Sequence, residues 1–136
     1  MLSRHPEKCR FPHGHTRQVE VVVSGPSLNA EGMLIDFKAL KLALEGYIDR
    51  YDHAMAINST DPALAALQAL YPPEALVVFE GQEPTTEALA KDIFEFSTAV
   101  FTTGWSNGTY KITPNSVILE RVRVWETPSS WAEYGH

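Results

Sequence analysis

Polar and apolar residues alternate from position 16 and then give way to the apolar run Val21-Val22-Val23, which predicts a strand over 16–24 with at least one buried face. Gly25-Pro26-Ser27 ends it. Across 33–51 the apolar side chains Phe37, Leu40, Leu44, Tyr47, Ile48 and Tyr51 recur every three or four positions, aligned along one side of an α-helix. The stretch 54–74 is mixed: Asn58-Ser59-Thr60-Asp61-Pro62 predicts a turn, 62–70 a short Ala/Leu-rich helix, and Pro72-Pro73 a break. Leu76-Val77-Val78-Phe79 predicts a short buried strand. A further helix opens at 82–87, where a threonine hydroxyl can satisfy free amides and Glu87 meets the positive end of the helix dipole. Leu89, Ile93, Phe96 and Val100 mark its apolar side. Gly104, Asn107-Gly108 and Pro114-Asn115 make 102–116 loop or hairpin, and 117–126 reads as strand from its β-branched and apolar content. Strand, helix, helix, strand is the frame, with no internal repeat and no dividing linker.

At 136 residues and 44% hydrophobic content, the chain can close one core, so 1–136 is expected to be a single domain. Lys and Arg total 11 against 17 Asp and Glu, a net charge of −6, which provides no general field for a nucleic-acid backbone or an anionic membrane. Neither partner is expected. No apolar run approaches the roughly 20 residues that span a bilayer, and the first residues lack a secretory h-region, so a cytoplasmic protein is expected. Cys9 is the only cysteine, which excludes an intrachain disulfide and leaves a thiol for packing or for chemistry.

The densest cluster of reactive residue types is Cys9-Arg10-Phe11-Pro12-His13-Gly14-His15. His13 and His15 are two apart, so on an extended backbone both imidazoles leave the same face and can converge on one metal ion; taken alone, such a pair is equally well solvent-facing. A thiol beside basic side chains and a dication ionises more readily, so Cys9, flanked by Lys8 and Arg10, is a candidate base or nucleophile. Its plain alternative is a small buried hydrophobe. Asp52-His53 follows an amphipathic helix, where the carboxylate can orient the imidazole for acid/base work or the pair can simply end the helix. Glu126 closes an apolar strand; a carboxylate there either reaches solvent or accepts from a ligand with two neighbouring N–H groups.

Cys9-x-x-x-His13-Gly14-His15, Gly32-Met33-Leu34-Ile35-Asp36-Phe37, Tyr51-Asp52-His53, Pro84-Thr85-Thr86-Glu87 and Trp125-Glu126-Thr127 together resemble, in order and spacing, the 6-pyruvoyl-tetrahydropterin synthase / 6-carboxy-tetrahydropterin synthase family. The resemblance runs from about His5 to Tyr134. It implies the α+β tunnelling fold: an antiparallel sheet with two helices packed on one face, joined by oligomerisation into a barrel, as a homo-trimer or hexamer. It implies 7,8-dihydroneopterin triphosphate as substrate and a zinc ion held by three histidines. Position by position, His13 and His15 resemble two zinc ligands, Cys9 the catalytic base, and Asp52 and His53 the supporting acid/base pair. Glu126 resembles the anchor of the pterin amino-pyrimidine edge, with Thr85 and Thr86 lining that pocket. Lys8, Arg10 and Arg17 flank the metal motif and are candidates to attract the triphosphate.

The family's third zinc histidine lies on a strand before the cysteine, and no matching segment occurs here, so the first strand is expected to be truncated and the start to be an internal methionine of a longer protein. His5 is the only nearby substitute ligand, although it aligns with a non-ligand position. The loop keeps Cys9 and lacks the glutamate of a folate-precursor branch, and the short Cys9-to-His13 spacing resembles the bacterial 6-carboxy-tetrahydropterin synthases of queuosine biosynthesis. That activity, a lyase reaction releasing triphosphate and acetaldehyde, is the expectation. The alternatives are the pyruvoyl activity, a non-catalytic pterin binder with an incomplete metal site, and a purely structural oligomer.

Overall fold

The computed structural model describes residues 1–136. Its main sheet has three strands: β1 (Gln18–Ser24) pairs antiparallel with β6 (Ile118–Thr127), which pairs antiparallel with β7 (Ser130–Gly135). Between them in the chain come α1 (Phe37–Ile48), β2 (Met55–Asn58), α2 (Leu64–Leu70), β3 (Leu76–Phe79), α3 (Thr86–Thr103) and the two-residue strands β4 (Trp105–Ser106) and β5 (Lys111–Ile112). Both sheet edges, β1 and β7, lack a neighbouring strand within the chain.

The predicted frame of strand, helix, helix and strand is present, with helices that start and stop where local chemistry directs. Asp36 caps α1 by accepting from the amides of Lys38 at 2.7 Å and Ala39 at 3.4 Å. Phe37, on the predicted apolar stripe, stands at the first helical position and is 84% exposed. Thr85 caps α3, its hydroxyl accepting from the Ala88 amide at 3.1 Å, and Gly104 ends that helix at φ 80, a conformation open to glycine. Two strands, β2 and β7, go beyond the sequence reading, whereas the hairpin in 102–116 is one of its two expected forms. The strand β2 is four residues long and pairs parallel with β3, the short α2 lying between them in the chain, so the chain holds one parallel pair beside its antiparallel sheet. The segment 102–116 contains the small β4–β5 hairpin, and β7 completes the main sheet.

Residues of β6 alternate between the helix-covered face and the open one, and the phase shifts where Glu120 has no partner opposite the Val22/Val23 step. Val117 and Leu119 before that bulge, and Val122 and Val124 after it, all enter the core. They pack with Ala39 and Leu44 of α1 and with Ala90, Ile93, Phe94 and Phe101 of α3. No helix is long and apolar enough to cross a membrane. Ile93, fully enclosed at 1% exposure, is the point where α3 meets the sheet. Ile93→Ala is expected to lower unfolding free energy by about 2–5 kcal/mol in urea titration; a loss under about 1 kcal/mol contradicts this packing.

Candidate active site

A second irregularity in the sheet sets the site. Trp125 pairs with Trp131 and Thr127 with Ser130, so Glu126 between them is the extra residue of a bulge. It also lies beyond the last β1–β6 pair, Gln18 with Trp125. Its side chain continues the phase of Val122 and Val124 toward the helices and meets the first turn of α3, where free amides and the helix dipole favour an anion. The Thr86 hydroxyl donates to Glu126 Oε1 at 3.2 Å, and Arg17 Nη1 donates to the same hydroxyl oxygen at 3.0 Å. His15 Nε2 is 3.4 Å from Glu126 Oε1. Burial lowers the His15 pKa, the Glu126 carboxylate opposes this, and Arg17 and His13 add to the lowering. The result is a preference for the neutral ring, so the contact is a polar one rather than an ion pair. Burial likewise lowers Arg17, against the opposing pull of Glu126.

These groups open into a cavity of about 1120 Å³, and all eight candidate residues line it: Cys9, His13, His15, Asp52, His53, Thr85, Thr86 and Glu126. Thr85 spends its hydroxyl on the α3 cap, so Thr86 is the threonine whose oxygen faces the carboxylate. Asp52 and His53 stand at the rim, their side chains 72% and 93% exposed, with His53 Nδ1 2.9 Å from Asp52 Oδ1. That contact places the ring proton on Nδ1 and leaves Nε2 to exchange protons. His53 takes a left-handed conformation, φ 55, which turns the chain sharply after the helical turn Asp49–Tyr51. The turn is tied to α3 through Asp92, which accepts from Tyr51 Oη at 2.6 Å, Tyr47 Oη at 2.7 Å and Arg50 Nη2 at 3.1 Å. Burial, and then the bond to Asp92, push Tyr47 up to about 12 and move Tyr51 in the same direction.

Two histidine rings face the cavity as possible donors to a zinc ion. His13 Nδ1 lies 2.7 Å from the Phe11 carbonyl, so the proton sits there and Nε2 carries the lone pair, as in a metal-ligating imidazole. The His15 ring is perpendicular to it at 5.0 Å between centroids. Two imidazoles fall short of the three protein ligands that catalytic zinc takes, and no group of three or more His, Cys, Asp and Glu side chains comes together to hold an ion. His5, considered as the substitute, lines the cavity, but its Nδ1 accepts from the Glu7 amide at 3.0 Å. In the neutral ring Nε2 then carries the proton, so neither nitrogen offers a lone pair. This chain's residues alone do not fit a protein-held zinc ion.

The other cations divide. Arg17 lines the cavity and is bound to Thr86, whereas Lys8 and Arg10 are exposed and outside it, so the expected three-residue cluster does not form. The period of two that pairs His13 with His15 extends to Arg17 and Val19, which also line the cavity. That signal could have placed Arg17 in the site. Glu83 and Asp92, which hold the site from outside, carry no local signature.

Residues 1–15 cross the cavity as a strap whose far end is fastened by Glu83. The carboxylate accepts from the Ser3 amide at 2.9 Å, the Ser3 hydroxyl at 2.5 Å and the Arg4 amide at 3.1 Å. Burial raises the Glu83 pKa, but the bonds from Ser3, Asn58 and Arg4 together outweigh it and hold the group below the usual glutamate range. A carboxylate depressed in the folded state stabilises fully above its unfolded pKa, and that contribution fades as pH falls through the lower folded one. Glu83→Gln is therefore expected to loosen the strap at neutral pH, read as faster amide exchange in residues 1–10 and faster thiol labelling of Cys9. The difference from the parent shrinks as the solution is taken below pH 4. Equal labelling and exchange at pH 7 would show that Glu83 does not fasten the strap.

The 6-carboxy-5,6,7,8-tetrahydropterin synthase of Aquifex aeolicus is 33% identical over 129 residues, covering 93% of this chain and 75% of that protein. Among solved structures, an uncharacterized protein from Wolinella succinogenes superposes with a TM-score of 0.71 at 23% identity, covering 93% of this chain and 80% of that one. Plasmodium vivax 6-pyruvoyltetrahydropterin synthase superposes with a TM-score of 0.60 at 16% identity, covering 91% and 80% respectively. The α+β tunnelling fold is thus the fold of this chain, within one protomer. With the family model for 6-pyruvoyl tetrahydropterin synthase matching residues 1–136 from end to end, the chain belongs to the 6-pyruvoyl tetrahydropterin synthase family.

Proposed function

We propose that this chain is a lyase that converts 7,8-dihydroneopterin triphosphate and water to 6-carboxy-5,6,7,8-tetrahydropterin, acetaldehyde and triphosphate, acting as a cytoplasmic homo-trimer or hexamer in 7-deazaguanine (queuosine) biosynthesis. The observation that carries the proposal is the convergence of Cys9, the Asp52–His53 pair and a Thr86-held Glu126 on one cavity. The name of the Aquifex aeolicus relative favours the carboxy product over the pyruvoyl one. Family members from Haemophilus influenzae and Bacillus subtilis carry the same name.

In this reading Glu126 accepts from the 2-amino group and N3–H of the pterin, a side-by-side donor pair that a carboxylate meets in bidentate fashion. Thr86 holds the carboxylate in place for it. The substrate side chain then extends toward the strap and the rim. The Cys9 thiolate removes a proton from a side-chain carbon, and His53, oriented by Asp52, returns or removes one at the neighbouring position. Zinc, where bound, would make those C–H bonds more acidic. His13 and His15 are this chain's two donors toward such an ion, and a third would have to come from outside the cluster. The free edges β1 and β7 offer pairing sites for further copies; light scattering that reads a monomer would remove the oligomer from the proposal.

Incubation with 7,8-dihydroneopterin triphosphate and zinc, with product analysis, tests the reaction. Acetaldehyde in step with triphosphate is expected; triphosphate without carbon loss establishes the pyruvoyl alternative, and binding without turnover the non-catalytic one. Cys9→Ala is expected to lower kcat about 10²- to 10⁴-fold with little change in KM, whereas Glu126→Gln is expected to raise KM about 10- to 100-fold. A reversed split would contradict these roles. Elemental analysis checks the metal: zinc held at the two imidazoles falls to background in both His13→Ala and His15→Ala, and unchanged content places the ion elsewhere.

A further inference from the structure

Arg17 is the only arginine or lysine among the residues lining the cavity. Its position is unusual for a cation near a carboxylate, because the two do not form an ion pair. The Thr86 hydroxyl stands between them, accepting from Arg17 Nη1 at 3.0 Å and donating to Glu126 Oε1 at 3.2 Å. Thr86 is the only hydrogen-bond partner of the Arg17 side chain. A guanidinium presents five N–H donors in a rigid planar fork, so most of its donors remain for a ligand. Glu126 Oε2 accepts from no residue either, since the contacts from Thr86 and His15 both fall on Oε1. The cavity wall therefore offers a donor fork and an acceptor carboxylate next to each other, at a spacing fixed by one hydroxyl.

The complement of such a wall is a ring edge with an acceptor beside two donors. An oxo oxygen, a ring N–H and an exocyclic amine in succession, as on the pyrimidine half of a pterin, have that order. A 4-amino ring reverses the first position to a donor and removes the ring N–H. We propose that Arg17 is a specificity-determining residue that donates to the 4-oxo oxygen of the ring whose N3–H and 2-amino group Glu126 accepts. This rests on the pterin reading above and extends it to a residue that sequence reasoning had grouped with the triphosphate. Discrimination follows from pairing: a 4-amino group facing the guanidinium would leave two donors opposed, and a site built to hydrogen-bond one group rejects its analogue far better than an apolar pocket does.

The test uses a matched pair differing at ring position 4, 6-hydroxymethylpterin and 2,4-diamino-6-hydroxymethylpteridine. Neither carries phosphate, and near-neutral pH keeps the diamino compound uncharged while the pterin retains its N3–H. Dissociation constants are measured calorimetrically for the parent protein and for Arg17→Met. The parent is expected to prefer the pterin by about 10- to 100-fold, and Arg17→Met to show a preference at least about threefold smaller, the remainder coming from Glu126, which accepts the N3–H that the diamino ring lacks. If circular dichroism finds Arg17→Met unfolded, Arg17→Lys gives the same reading. It replaces the rigid fork by a mobile point charge, and its preference is expected to fall at least about threefold. A parent that binds the pterin while the variants keep its preference overturns the inference and leaves the pterin reading standing. Variants that keep the preference but lose affinity for the triphosphate substrate return Arg17 to the triphosphate, which also overturns it. A parent that binds neither compound removes the pterin reading and this inference together.

Discussion

The site depends on a single constraint: a carboxylate placed on the helix-covered face of a sheet must find donors. Glu126 follows two fully buried valines on that face, Val122 and Val124, so alternation alone would carry it toward the core. The β6–β7 bulge releases it from the ladder at the point where α3 begins, and the helix start supplies a favourable field and the Thr86 hydroxyl. Because the hydroxyl also receives Arg17, three residues from three separate segments are fixed in one hydrogen-bonded line. Oε1 takes one hydrogen bond from the protein and keeps a further lone pair, and Oε2 accepts from no residue, so both oxygens can still accept from a ligand, which is how an otherwise costly acid becomes a recognition element.

Around that fixed end, the remaining groups sit on segments held at a distance. The strap carrying Cys9, His13 and His15 is fastened by Glu83, and the turn carrying Asp52 and His53 is fastened by Asp92 through Tyr47, Arg50 and Tyr51. Glu83 and Asp92 belong respectively to the segment just before α3 and to α3 itself. The same helix whose first turn faces Glu126 thus also sets where the acid/base residues stand, and its burial against the sheet through Ile93 and Phe94 is what makes that setting rigid.

How much of this was legible in the sequence follows the range of the interactions. The helices α1 and α3, and the strands β1, β3 and β6, announce themselves through local periodicity and punctuation. The strand β2 is too short for its period to register among the residues following His53, and β7 gains its identity from pairing with β6 rather than from its own pattern. Phe37 sits on a predicted apolar stripe yet is exposed, because periodicity assigns a helix face without saying how far along it the core extends. In the site, spacing by two collected His13 and His15; the same spacing reaches Arg17, which the sequence reading left among the flanking cations. The Glu83 fastening and the Asp92 knot depend on residues 41 to 80 positions apart, and no local pattern records them. His5 illustrates the opposite error: residue type and proximity nominated it, and the tautomer imposed by the Glu7 amide withdrew it.

The central claim is that one ligand spans the carboxylate and the thiol across a common hollow. A crystal structure with neopterin bound tests this most directly. The account predicts the Glu126 carboxylate at about 3 Å from both the 2-amino group and N3, with the trihydroxypropyl chain directed to Cys9. A ring seated outside the cavity, or inside it with its amino-pyrimidine edge turned away from Glu126, would contradict it.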